Sequence, residues 1–201
     1  MARFFISVFA GWTITTIVGA AELPIAKEAQ DFHEEKMTAN EAVVFGRIEG
    51  EKTSFGAAGL LGKGRPAADE HTLFEIGSIT KPFTCILLAD LVLEGRVALN
   101  DSIAPVLTKA GVEVGEAIEE ITFLELATHR SGFPRLPSNL KPRSDQDNPY
   151  AHYSRELLEE YLIGFEASDF EKRGQQNYSN LGMGLRGYLI EELSGQTYEE
   201  R

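Results

Sequence analysis

Residues 79–94, ITKPFTCILLADLVLE, constrain the fold more than any other stretch. Lys81, Asp90 and Glu94 are their only charged residues, and the apolar side chains leave no polar stripe wide enough for a surface helix. The spacing predicts a buried helix that Gly95 stops. Pro82 fits only near the start of such a helix, which places its first turn at residues 79–82. A buried helix needs layers around it, and 201 residues suffice for one sizeable domain with a core.

The rest of the chain supplies those layers in mixed form. Residues 25–39 read as a short charged helix. EAVVFGRI (41–48) and KTSFGAAGL (52–60) read as two strands joined at Glu49-Gly50-Glu51. TLFEIG (72–77) reads as a short strand or extended segment, and NDSIAPVL as a turn into a short helix. Thr122 and Glu125 have the spacing of a capping box for FLELATHR. The four prolines between Ser131 and Pro149 predict a long irregular loop, of the kind that carries function. Ser154 opens an amphipathic helix, and residues 181–194 form another that Gly195 ends. The fold class is therefore α+β.

Composition excludes several functions. The formal net charge of −12 argues against nucleic acid and against an anionic membrane surface as partners. Met1-Ala2-Arg3, an uncharged run from Phe4 to Ala21, and small residues at Val18-Gly19-Ala20 predict a signal peptide over 1–21. Threonines and glycines in that run make it a poor anchor, so no stable span is expected after cleavage. The expected location is periplasmic or secreted. Cys85 is the only cysteine, which rules out an internal disulfide and reads as a core residue. His33, His71, His129 and His152 show no metal-ligand spacing, and no metal is expected.

Two short motifs carry chemistry. Ser78 and Lys81 stand one helical turn apart at the start of the apolar helix. A hydroxyl there lies near the positive helix end, and a partly buried lysine is a candidate base. About one Ser-x-x-Lys arises by chance in a chain of this length, and Ser138…Lys141 in the proline-rich loop is read as that one. The competing assignment makes Ser78 a helix cap and Lys81 a solvated side chain. Tyr178-Ser179-Asn180 precedes the last long helix. A phenol beside a lysine can relay the serine's proton, and an amide can hold an ammonium and a carbonyl. The competing assignment is a packed tyrosine followed by a capping asparagine.

In order and flanking sequence, FEIGSITKPFTCILLADLVLEGRVALND, ITFLELATHRSGFPRLP and NYSNLGMGLRGYLIEELSGQTYEE resemble the serine β-lactamase and penicillin-binding superfamily. The resemblance runs from about Val43 to the last residue. It is greatest to the branch of class C β-lactamases, D-alanyl-D-alanine carboxypeptidases and related esterases. It implies a β-lactamase/transpeptidase-like fold, an antiparallel sheet flanked by helices. It also implies that Ser78 is the acylated nucleophile, Lys81 its base or proton relay, and Tyr178 a second acid/base. Asn180 would hold the substrate carbonyl, and no cofactor is implied. The substrate would be a β-lactam, a D-Ala-D-Ala peptide or a small ester. Arg135-Leu136 stand where a class C enzyme would carry a glutamine or asparagine, which keeps esters in play.

The superfamily's third motif, a Lys-Thr-Gly or His-x-Gly triplet on a strand, has no counterpart before Arg201. Residues 22–201 therefore read as the N-terminal portion of the domain, incomplete in its sheet. The alternatives are a non-catalytic penicillin-binding or sensor-type domain, or an inactive truncated product. An α/β-hydrolase is disfavoured, because no Gly-x-Ser-x-Gly occurs.

Overall fold

The computed structural model describes residues 24–140, 148 and 150–201. The expected signal peptide lies outside these residues, as does Lys141 of the second Ser-x-x-Lys. The chain forms two compact units, one ending at Glu75 and the other beginning at Ile76.

In the first unit, helix α1 (Ile25–Lys36) covers a hairpin of β1 (Ala42–Glu49) and β2 (Lys52–Gly59). The strands are antiparallel, with Val43 opposite Ala58 and Glu49 opposite Lys52. That register leaves a two-residue loop, Gly50-Glu51, and Gly50 has φ +62°. Glycine at the first loop position suits a turn whose twist matches the strands. Ala29, Val43 and Ala58 are buried together, with Phe32 packed edge-on against Phe45 at 5.4 Å. The helix approaches very closely at Gly56, where a Cβ would stand 2.3 Å from the Ile25 carbonyl oxygen. The segment TLFEIG forms no strand: residues 72–76 are irregular, and Leu73 is 96% exposed.

The second unit is helical. A 3₁₀ turn (Gly77–Ile79) leads into α2 (Thr80–Leu93), followed by α3 (Ala104–Lys109), α4 (Glu116–Glu119) and α5 (Phe123–Ala127). After the long loop come α6 (Arg155–Ile163), a 3₁₀ turn (Ala167–Asp169) and α7 (Asn180–Ser194). Helix α7 packs against α2, α3 and α5. Its buried residues Leu181, Leu185, Leu189 and Ile190 join Leu88, Leu91, Leu107, Phe123 and Phe133 in one apolar core.

The helix ends follow from local chemistry. Thr122 and Glu125 form the expected capping box, with the Glu125 N–H donating to Thr122 Oγ1 at 3.2 Å and the Thr122 N–H to Glu125 Oε2 at 2.9 Å. Ser154 accepts the Leu157 N–H, and Gly195 ends α7 in the left-handed conformation at φ +73°.

Helix α2 is buried on one side only. Thr84, Leu88 and Leu91 are enclosed, whereas Phe83, Ile86 and Leu93 on the other side are 56%, 62% and 86% exposed. These residues recur at intervals of three and seven and form one apolar face. The expectation of a buried helix is thus met on the α7 side and unmet on the opposite side. Among the described residues of the helical unit, no element packs over that face.

Candidate active site

All four candidate residues lie in the helical unit, and the fold brings them together. Gly77, at φ +53°, turns the chain so that Ser78 sits in the 3₁₀ turn ahead of α2. Ser78 caps nothing: the first turn of α2 has no side-chain cap. Its hydroxyl instead meets two functional groups. Lys81 Nζ donates to Ser78 Oγ at 3.1 Å, and Ser78 Oγ lies 2.7 Å from Tyr178 OH. Lys81 Nζ also stands 4.8 Å from the centre of the Tyr178 ring.

Tyr178 is held by the loop before α7. The cap of α7 is Ser179, not Asn180. Ser179 Oγ accepts the Gly182 N–H at 2.9 Å and donates to the Pro134 carbonyl at 2.7 Å. Ser179 is almost fully buried, so both bonds are shielded from water. The cap pins the backbone between the tyrosine and the asparagine. Asn180 is therefore free of capping duty, and its Nδ2 reaches Tyr150 OH at 3.4 Å.

The electrostatics of Tyr178 are set by opposing causes. Burial pushes its phenol up, but hydrogen bonds from Lys81 and Ser78, with the charges of Lys81 and Arg135, outweigh this. The net effect holds the phenol below its usual value. Arg135 lies 5.2 Å from the ring centre. His129 stacks on the ring at 4.7 Å, and its Nδ1 accepts the Ser179 N–H. The neutral imidazole therefore carries its proton on Nε2. Burial, then the charges of Lys81 and Arg186, lower the His129 pKa and favour that neutral form.

Sequence reasoning missed the support that His129 gives to Tyr178. The one local sign is a non-glycine residue at φ +57°, which is visible only in the structure. It also missed Tyr150 beside Asn180, and the buried Arg186, which donates to the Lys81 carbonyl at 3.3 Å.

A cavity of about 640 Å³ opens beside Ser78, with Lys81, Asn180, Leu136, Tyr153, Met183 and Tyr198 in its walls. A hydroxyl within hydrogen-bond reach of an amine and a phenol, at the edge of a mostly apolar cavity, has the geometry of a nucleophile for acyl transfer. Among the described residues, no cluster of His, Cys, Asp and Glu could hold a metal ion.

Comparison with known proteins shows the family and the fold. A Beta-lactamase from Providencia stuartii is 32% identical over 125 residues, 62% of this chain and 28% of that protein. Protein flp of Staphylococcus aureus strain MW2 is 27% identical over 133 residues, 66% of this chain and 26% of that protein. Among solved structures, a class C beta lactamase from Rhodobacter sphaeroides superposes with a TM-score of 0.63 at 26% identity. It covers 87% of this chain, and the chain covers 45% of it. The Beta-Lactamase/D-Alanine Carboxypeptidase from Pseudomonas syringae has the same fold, with a TM-score of 0.67 at 22% identity over 88% of this chain and 45% of its own. The chain thus spans between about a quarter and a half of the length of these relatives. The family profile matches residues 30–200. With nearly all of the described sequence inside that match and the fold shared with class C structures, the chain belongs to the beta-lactamase family.

Proposed function

We propose that this chain carries the nucleophile and proton-transfer groups of an exported serine hydrolase that works through an acyl-enzyme. The observation that carries the reading is Ser78 Oγ within hydrogen-bond reach of both Lys81 Nζ and Tyr178 OH. One of the two accepts the hydroxyl proton as Oγ attacks a substrate carbonyl. The Ser78 backbone N–H, near the positive end of α2, donates to the oxyanion, and the Asn180 amide holds the substrate carbonyl. The leaving amine or alkoxide takes its proton from the Lys81–Tyr178 pair. Tyr178 then draws a proton from the water that hydrolyses the acyl-enzyme.

The proposed substrates are a β-lactam, a D-Ala-D-Ala peptide or a small ester, and the proposed location is periplasmic or secreted. Sequence similarity to the Providencia stuartii and Rhodobacter sphaeroides beta-lactamases supports the β-lactam. No helix among the described residues is long and apolar enough to cross a membrane.

The test is the intact mass of the protein after exposure to a penicillin-type probe, and separately to an activated ester. One adduct that maps to Ser78 and is absent from Ser78→Ala is the expected result. An adduct that survives Ser78→Ala, or a folded wild-type protein that takes none from either probe, overturns the proposal. Stoichiometric acylation without release would favour the non-catalytic penicillin-binding alternative.

A further inference from the structure

His129 holds the chain around Tyr178 at three points. Its carbonyl accepts the Asn177 N–H at 2.8 Å, and its Nδ1 accepts the Ser179 N–H at 3.3 Å. Between them its ring faces the Tyr178 ring, 4.7 Å away and tilted by 31°. One residue thus grips the backbone on both sides of the tyrosine and the side chain in the middle. Its own backbone is left-handed, at φ +57°, and strain of that kind persists only where surrounding contacts over-determine it. The Ser179 hydroxyl holds the next turn separately.

Only one of the three points is lost when the ring gains a proton. Nδ1 accepts while the imidazole is neutral, but in the imidazolium both ring nitrogens carry protons. Nδ1–H would then face the Ser179 N–H, donor against donor. The surroundings also oppose that cation. Burial is the largest cause, and Lys81 on α2 and Arg186 on α7 add like charge. Arg135 stands over the Tyr178 ring as well, 5.2 Å from its centre. Two acidic side chains of this stretch are engaged with other groups. Glu125 pairs with Arg173 at 3.5 Å, and Glu171 accepts from the Asn177 amide at 3.0 Å.

We propose that His129 is a positioning residue that keeps the Tyr178 hydroxyl against Ser78 only while its imidazole is neutral. On acidification the imidazolium turns or withdraws to separate the two donors, and the face on which Tyr178 is stacked goes with it. The Ser179 hydroxyl keeps the start of α7 in place, so the change is confined to the tyrosine and its backbone. The 2.7 Å contact between Tyr178 OH and Ser78 Oγ is lost in proportion to the charged fraction of the ring. Burial and the like charges hold the ring below its ordinary value of 6.5, so the site stays assembled at neutral pH and opens below it. The effect on catalysis rests on the proposed acyl transfer, whereas the contact itself does not.

The first measurement uses the wild-type chain and no substrate, so it needs no variant to fold. Proton–nitrogen NMR follows the Ser179 amide and the His129 ring between about pH 8 and 4.5. The Ser179 amide proton should move upfield and lose exchange protection with the midpoint of the imidazole. An amide that does not follow the ring overturns the proposal. The second measurement compares the acylation rate of Ser78 by a penicillin-type probe in wild type and His129→Asn. Asparagine tolerates the left-handed backbone and offers Oδ1 in place of Nδ1, an acceptor that does not titrate. It lacks the stacked ring, so the variant should be slower throughout. The ratio of wild-type to variant rate cancels any titration of Lys81 and Tyr178 that both proteins share. That ratio should be level above about pH 7 and fall about tenfold per pH unit once most of the imidazole is charged. His129→Leu, with no acceptor, should be slower than His129→Asn at about pH 8. A ratio that stays level into acid, or equal rates in the leucine and asparagine variants, overturns the proposal. A folded chain that is never acylated overturns the acyl-transfer reading instead, and the amide measurement then decides the role of His129 alone.

Discussion

In the proposed mechanism Ser78 has two proton-transfer partners, Lys81 and Tyr178, and their division of labour can be tested at Tyr178. The phenol sits below its usual value because the Lys81 and Ser78 hydrogen bonds and the Lys81 and Arg135 charges outweigh burial. In the proposed mechanism it is the base for deacylation. The phenolate fraction then grows as pH rises, and deacylation should climb and level off before the ordinary tyrosine value of about 10. Tyr178→Phe should remove that rising limb and slow deacylation by about 100-fold or more, so that acyl-enzyme accumulates. Mass spectrometry of the trapped adduct against pH measures both effects. An unchanged limb in the phenylalanine variant would assign the base to Lys81. The serine and lysine were legible in sequence, because three residues on a helix place them on one face whatever surrounds them. The motif Tyr-x-Asn suggested Tyr178, but its distance from Ser78 could not be read locally. His129, Arg135 and Arg186 carried no linear signal, since they act across loops and between helices.

The elements that hold the site depend on one cap. Ser179 closes the first turn of α7 and ties it to the Pro134 carbonyl, so it fixes the chain on both sides of Tyr178 and Asn180. Ser179→Ala loses both bonds and leaves the Pro134 carbonyl without that donor. Stability should fall by about 2 kcal/mol, read from urea denaturation. The acylation rate of Ser78 should fall as well, although no proposed catalytic side chain is altered. A loss of stability with unchanged acylation would show that Tyr178 is positioned from elsewhere, for example by the His129 stack. Such caps were largely legible: Thr122 with Glu125, Ser154 and Gly195 each end a helix where local chemistry places the end. TLFEIG forms no strand because a strand needs a partner, and an apolar pattern that fits an extended segment equally well says nothing about whether one is adjacent. The pattern of α2 gave the amount of apolar surface but not its division between an enclosed face and an open one.

At the scale of the whole molecule, the helical unit carries a set of tyrosines that makes its stability depend on alkaline pH. Tyr153, Tyr161 and Tyr188 are each pushed up to about 12, in every case chiefly by burial. Tyr161 is raised further by the charges of Asp169 and Glu171, and Tyr188 by its bond to Glu159. In the unfolded chain each phenol ionises near 10. Between about pH 10 and 12 the unfolded state therefore binds fewer protons than the folded one, and stability falls as pH rises. The contribution of these groups is fully present below about 10 and is lost through the folded value. Tyr178 has the opposite shift, but it is one group against three. The urea midpoint should be flat with respect to these groups up to about pH 9 and then drop steeply toward pH 12. Tyr161→Phe should shallow that drop, and tyrosinate absorbance should show the three phenols lagging the others in the folded protein. A drop of equal steepness in Tyr161→Phe would mean that the alkaline sensitivity comes from other groups, and that this phenol is hydrated as the chain folds.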